Sequence, residues 1–295
     1  MPEFLNLLWG TVILRPYVFA FLGIYLLAAG FHMGWKRTFL YIPAGYFIAW
    51  ASEFASIHWG FPYGDYYYLL DTLDRELWVL GVPFMDSLSY VFLSYCSYSL
   101  AVALLSPNGM ARGHFLVLET RAIRRSWQTL VLGSFLFVFL DVLTDPVALQ
   151  GYRWFLGQIY GYHHPGVYFG IPMSNFAGWL LVGFALTATL QSLDRFSGLE
   201  SPPGETLRSL PSLRLLGPVL YFSVLCFNLA VTFHIGEDLL GAVGCLLVFY
   251  TFLMAGFFTL YKVQNLHACH IRDHLKDFPQ LESETLRKRL QDLEH

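Results

Sequence analysis

The sequence predicts an all-α fold: a polytopic integral membrane protein of about seven transmembrane helices, with its N-terminus outside and its C-terminus cytoplasmic. Three observations predict it. The 295-residue chain is 56% hydrophobic and only 13% charged, about half the charged fraction of a soluble domain. Its apolar residues fall in runs of about 20, the length a helix needs to cross a bilayer. Lys and Arg alternate between high and low density in successive connections. A water-soluble globule is excluded. The net charge of −3 argues against a basic nucleic-acid binder, and no segment is acidic enough or simple enough to be a disordered tail.

The seven apolar runs cover approximately residues 11–33, 38–57, 78–105, 127–149, 171–193, 215–233 and 239–261. The first does not read as a secretory signal: Glu3 stands where a basic residue is expected, and no small-x-small cleavage site follows. Lys36 and Arg37 follow the first run, and Arg112, Arg121, Arg124 and Arg125 follow the third. Arg195, Arg208 and Arg214 follow the fifth, and six more basic residues lie beyond the seventh. That places 15 of the 18 basic residues on one side, leaving Arg15, Arg75 and Arg153 on the other. The positive-inside rule makes the rich side cytoplasmic, and an even number of spans would break the alternation. Residues 1–265 form the predicted transmembrane helical domain, and 266–295 a cytoplasmic C-terminal tail. In that tail Leu281, Leu286 and Leu290 suggest a short helix. Residues 197–211, rich in Ser, Pro and Gly, read as a flexible cytoplasmic loop. Cys96, Cys226, Cys245 and Cys269 read as small buried residues, with no C-x-x-C pattern for a metal or disulfide.

Ionisable residues inside spans are costly and mark functional sites. Glu53 falls near the outer end of the second run, Asp86 about two turns into the third, and Asp141 and Asp145 near the outer end of the fourth. All lie in the outer half of the membrane. Asp141 and Asp145 are spaced i, i+4 and share a helix face. Mutual repulsion and desolvation leave one member of such a pair a neutral acid, which a general acid in an apolar site requires. The plainer alternative is polar glue between helices. The outer connections are aromatic: residues 58–68 (HWGFPYGDYYY), 151–154 (GYRW) and 168–179. A belt of interfacial aromatics would decorate both faces, whereas the cytoplasmic loops hold far fewer. The outer set therefore reads as the lining of a pocket. Candidate catalytic residues are Asp141, Asp145 and Glu53. Candidate substrate-binding residues are Trp59, Tyr66, Tyr68, Asp86, Trp154, Asn175 and Trp179. The histidines are split between the two faces and match no metal-binding set, so no metal is expected. There is no phosphate loop, nucleophile elbow or dinucleotide fingerprint.

Several motifs agree in order and spacing: 61–68 (FPYGDYYY), 81–83 (GVP), 141–146 (DVLTDP), 151–154 (GYRW), 170–175 (GIPMSN) and 178–179 (GW). With them the middle half of the chain resembles the membrane carotenoid biosynthesis proteins of the CruF-type acyclic carotenoid hydratase family. The chain departs from that pattern after Pro83, where Met85 and Asp86 bring an extra carboxylate near the site. The resemblance implies addition of water across a terminal carbon–carbon double bond of an acyclic carotenoid, giving a tertiary alcohol with no cofactor. It implies as partners a carotenoid or other long isoprenoid lipid, membrane lipid and other enzymes of the pathway, with no nucleic acid. The location expected is the bacterial inner membrane. The residues fit that chemistry in their own right. A buried acid protonates the alkene, and the faces of Trp59, Tyr66, Tyr68 and Trp154 can stabilise the cation by about 0.5–2 kcal/mol each. A second carboxylate, or Asn175, holds the attacking water. Two alternatives stay open: a non-catalytic transporter or lipid-binding protein, and a membrane isomerase or cyclase using the same carboxylates.

Overall fold

The computed structural model describes residues 2–196 and 210–294. The first apolar run is not one helix. Helix α1 (Pro2–Leu14) stops at Arg15, and α2 (Pro16–Met33) begins on a proline at its first position, where the missing N–H costs nothing. The break serves a tertiary contact. Arg15 is buried and donates to both carboxylate oxygens of Glu76, at 3.0 and 2.9 Å, and to the Leu156 carbonyl. Helix α3 (Trp35–Trp59) ends where Gly60 takes a left-handed φ of 68°.

The third run is also corrected. Its first residues form a hairpin of β2 (Trp78–Val79) and β3 (Val82–Pro83), preceded in the chain by β1 (Tyr66–Tyr68). Leu80 and Gly81 both have positive φ, 50° and 84°, as a two-residue primed turn requires. Helix α4 (Phe84–Leu105) therefore starts later than the hydropathy suggests. It is the axis of the bundle, packed against α2 and α3 and against the later helices. Its sixteen buried residues include Ser87, Ser94, Cys96, Ser97 and Ala101, small side chains that let neighbouring backbones approach.

A second hairpin, β4 (Asn108–Ala111) and β5 (His114–Val117), and the short α5 (Arg121–Arg124) lead to α6 (Trp127–Ala148). The Ser126 hydroxyl caps α6 by accepting from the Thr129 N–H at 3.1 Å. Strand β6 (Tyr160–Tyr162) pairs antiparallel with β1, Tyr66 opposite Tyr162. Then come α7 (Met173–Arg195), a 3-10 turn at Pro211–Leu215, α8 (Leu216–His234) and α9 (Asp238–Gln264). In the tail, α10 (Ala268–Asp277) and α11 (Glu284–Glu294) do not hang free. They cover the second hairpin through a cluster of Leu116, Leu118, Leu266, Ile271 and Leu286.

Among the described residues the chain is thus all-α, apart from three two-stranded ribbons that the sequence reading does not foresee. Among the described residues six helices are long and apolar enough to cross a membrane: α2, α4, α6, α7, α8 with its leading 3-10 turn, and α9. Helix α3, expected as the second span, has 25 residues but is diluted by Ser, Tyr, Trp and Glu53. The loop expected at 197–211 lies outside the described residues except for its last two. Of the cysteines only Cys96 is buried. Cys226, Cys245 and Cys269 are exposed on the protein surface, correcting the expectation that all four are internal.

Candidate functional site

The helix ends that meet at one end of the bundle bring the predicted acids together. Asp141 and Asp145 lie one turn apart on α6, and α7 supplies Asn175 in its first turn. The Asn175 amide donates to both, at 2.8 Å to Asp141 Oδ2 and 2.9 Å to Asp145 Oδ2. Asp145 is saturated further: Tyr160 donates to its Oδ1, and Tyr162 to its Oδ2 at 2.9 Å. Asp141 is not. Its buried Oδ1 meets no hydrogen-bond partner among the described residues. Asp86 sits in the first turn of α4 rather than two turns in, because the hairpin takes up the residues before it. The Tyr68 hydroxyl donates to Asp86 at 2.7 Å. Glu53, on α3, accepts from Ser87 at 2.5 Å.

Two cavities meet on these groups. One, of about 50 Å³, is walled by Glu53, Asp86, Asp145, Asn175, Trp179 and six tyrosines: Tyr63, Tyr66, Tyr68, Tyr90, Tyr160 and Tyr162. The other, of about 160 Å³, is mostly apolar, with Tyr17, Phe21, Phe92, Trp154 and Phe227 among its walls, and Asp86, Asp141 and Asp145 line it too. Asp86, Asp145, Tyr160 and Trp179 line both. Trp179 is fixed between Tyr90, ring centroids 4.7 Å apart, and Phe137 at 4.6 Å. Helix α7 reaches this depth because Gly178 lies against Tyr63 and the Pro62 carbonyl, where a Cβ would stand 2.6 and 2.7 Å away.

Burial, and after it the Asp145 carboxyl, pushes the phenols of Tyr160 and Tyr162 well above their ordinary range. Burial and then Asp86 do the same to Tyr68. These phenols stay protonated and act as donors. Among the described residues no Lys or Arg pairs with Glu53, Asp86, Asp141 or Asp145.

Of the ten candidates, nine line these cavities. Trp59 does not: it is the last residue of α3, 75% exposed, against Phe54 and His58. The sequence reading missed Tyr160 and Tyr162. The signal was present, since tyrosines two apart share one face of a strand, as Tyr66 and Tyr68 do. It missed Tyr63 and Tyr90, and Tyr17 and Phe227 from helices distant in sequence.

A second polar cluster lies at the opposite end of the same helices. Glu119 accepts from Arg124 at 2.9 Å through both oxygens, from Arg214, and pairs with His32 at 2.9 Å. Asp194 accepts from Arg124 at 3.1 Å and Arg125 at 2.8 Å. His274 Nδ1 bonds the Glu119 carbonyl at 2.6 Å, and the Arg124 guanidinium lies 4.7 Å over the Phe278 ring. Burial pushes the Glu119 carboxyl up, but Arg124, Arg214 and His32 outweigh it and hold it well below the usual range. Burial, reinforced by Arg214, lowers His274 to about 4.

Among the described residues, six apolar helices of membrane length accompany a buried set of acids and tyrosines beside an apolar cavity, the make-up of a polytopic membrane protein. The chain belongs to the carotenoid biosynthesis protein family, whose profile matches residues 7–252. That match covers every residue lining both cavities and implies a carotenoid or related isoprenoid substrate. No curated protein and no solved structure matches the chain.

Proposed function

We propose that the protein is a membrane hydratase that adds water to a terminal double bond of an acyclic carotenoid. The observation that carries this reading is the meeting of an apolar cavity with the smaller chamber on Asp86, Asp145, Tyr160 and Trp179. Such a junction lets an alkene and a water approach the same carboxyls from different sides. The asymmetry of the pair suggests the roles. Asp141 presents an unpartnered oxygen and lines only the apolar cavity of the two; it is the acid. Its proton goes to the less substituted alkene carbon, leaving a tertiary cation next to Trp154, Trp179 and Tyr160, whose faces can stabilise it. Asp145, held by three donors and lining both cavities, is the base. Hydrogen bonds to a carboxylate favour its charged form. Water attacks the cation, its proton passes to Asp145, and the product is a tertiary alcohol. The proton returns to Asp141 through the next water. Glu53 and Asp86 hold water in the chamber.

In this reading α3 is the seventh crossing helix and the acid cluster lies toward the outer face, because the basic residues gather at the other end. A cysteine at Asp71 then reacts with an impermeant thiol reagent added outside intact cells, and one at Glu282 only after lysis. The reverse pattern overturns the orientation.

The test of function is expression in a lycopene-accumulating bacterium, with chromatography and mass spectrometry of the pigments. A product heavier by one water is expected. A new pigment of unchanged mass would turn the assignment to an isomerase or cyclase. An unchanged profile from membrane-inserted protein would remove the hydratase.

A further inference from the structure

The apolar cavity is small beside the lipid it would serve. A cavity of about 150 Å³ lined by aliphatic and aromatic side chains holds one benzene, a molecule of six carbons. At about 160 Å³ the cavity here has room for about one isoprene unit. The rest of a polyene must lie elsewhere.

The wall between α2 and α8 shows where. Tyr17 and Phe21 of α2 close on Phe227 of α8, with ring centroids 5.6 and 5.7 Å away. Tyr17 also meets Phe155 edge-on at 5.7 Å, and Phe155 meets Trp154 at 5.0 Å. Tyr17, Phe21, Trp154 and Phe227 line the cavity, while Phe155 is 60% exposed. A continuous file of rings thus leads from the cavity along the seam of contact between α2 and α8, two helices of membrane length, to Phe155, an exposed ring in the connection that follows α6. Aromatic contacts of this kind add little beyond the area they bury, so a lipid tail can part them. The second chamber, at about 50 Å³, is too small to take a hydrocarbon chain.

We propose that this seam is a lateral doorway through which only the terminal isoprene unit of an acyclic isoprenoid enters, the remainder of the chain staying in the bilayer. The inference rests on the hydratase reading. It widens the substrate class: the protein hydrates any acyclic isoprenoid whose last unit is a trisubstituted alkene, whatever lies beyond that unit. The reaction is unchanged, one C–H and one C–O bond forming as one water is consumed.

The test uses full-length protein in lipid nanodiscs, given lycopene, squalene or geranylgeraniol in separate assays. We expect all three to gain water at rates within about tenfold of one another. Phe227→Trp, which narrows the seam, should lower turnover of all three together by at least tenfold. Phe155→Trp, at an exposed position, repeats that test if Phe227→Trp does not fold. Hydration of lycopene with no turnover of, and no inhibition by, squalene or geranylgeraniol would overturn the proposal. So would seam variants that fold and react at the wild-type rate. Failure to hydrate lycopene would instead remove the underlying hydratase reading, and this proposal with it.

Discussion

The two ends of the bundle bury carboxyls in opposite ways. At one end Glu119 and Asp194 are matched by Arg124, Arg125, Arg214 and His32. At the other, among the described residues, Glu53, Asp86, Asp141 and Asp145 are hydrogen-bonded by hydroxyl and amide donors and form no salt bridge. A carboxylate beside a guanidinium is locked in its charged form and acts as a clasp, tying α2, α5, α7 and the tail together. A carboxyl beside a phenol or an amide can hold or release a proton without leaving a bare countercharge. The first arrangement is suited to structure and the second to proton transfer. A single helix, α6, joins them: Arg124 and Arg125 lie just before its start, and Asp141 and Asp145 stand in its last two turns.

If that contrast is right, substitutions at the two ends fail differently. The largest effect on catalysis should come from Asp141→Asn, which keeps shape and removes the proton. General acid catalysis contributes roughly 10²–10⁴-fold, so hydrated pigment should fall at least a hundredfold while the purified protein keeps its melting temperature. Asp145→Asn should behave alike. A stable variant with full activity would take that residue out of the pair. Arg124→Leu should do the reverse. Removing one member of a buried ion network costs about 3–5 kcal/mol, which we expect as poor yield and an early thermal transition in detergent. Whatever folded protein survives should keep its turnover per molecule. Loss of activity without loss of stability would erase the distinction between the ends.

The charged end also predicts a pH dependence. His274 is held neutral against the Glu119 carbonyl, facing Arg214 and Arg124, with its ordinary value of 6.5 lowered to about 4. The unfolded chain takes up that proton below pH 6.5 and the folded protein only near 4, so the unfolded state binds more protons between the two. Stability from this residue is therefore full above pH 6.5 and lost as the pH falls toward 4. The melting temperature should drop across that window, and His274→Gln should flatten the drop. An equal drop in the variant would assign it to other groups.

Much of this was legible in the sequence, and what was not has physical reasons. Apolar runs and basic loops gave the helices, because the bilayer imposes length and the insertion machinery imposes charge. The acids stood out because carboxyls are rare in such runs. The break at Arg15 was hidden, since its partner Glu76 lies in a distant loop and only the folded chain brings them together. The start of α4 was misplaced because Trp78 to Pro83 is apolar enough to pass for helix, while Leu80 and Gly81 turn a hairpin. The family profile spans both cavities, yet hydropathy and motif order could not sort aromatics that line a site from those that face lipid.

Trp59 is where that sorting matters, and it carries the smallest expected effect. By type and position it belongs with the candidate cation-stabilising rings; by placement it is outside the site, 75% exposed. Surface substitutions away from special contacts stay within about 0.5 kcal/mol, so Trp59→Ala should leave product yield within about twofold of wild type. Trp154→Leu, by contrast, changes a ring that lines the apolar cavity and donates to the Val147 carbonyl at 3.2 Å. Losing the face of that ring should lower the rate by roughly two- to thirtyfold, the range spanned by about 0.5–2 kcal/mol of cation stabilisation. If the two tryptophans were equally sensitive, the file of rings from cavity to surface would not be where the substrate lies. If Trp154 alone responds, the reacting carbon is placed at the junction where Asp145 lines both cavities.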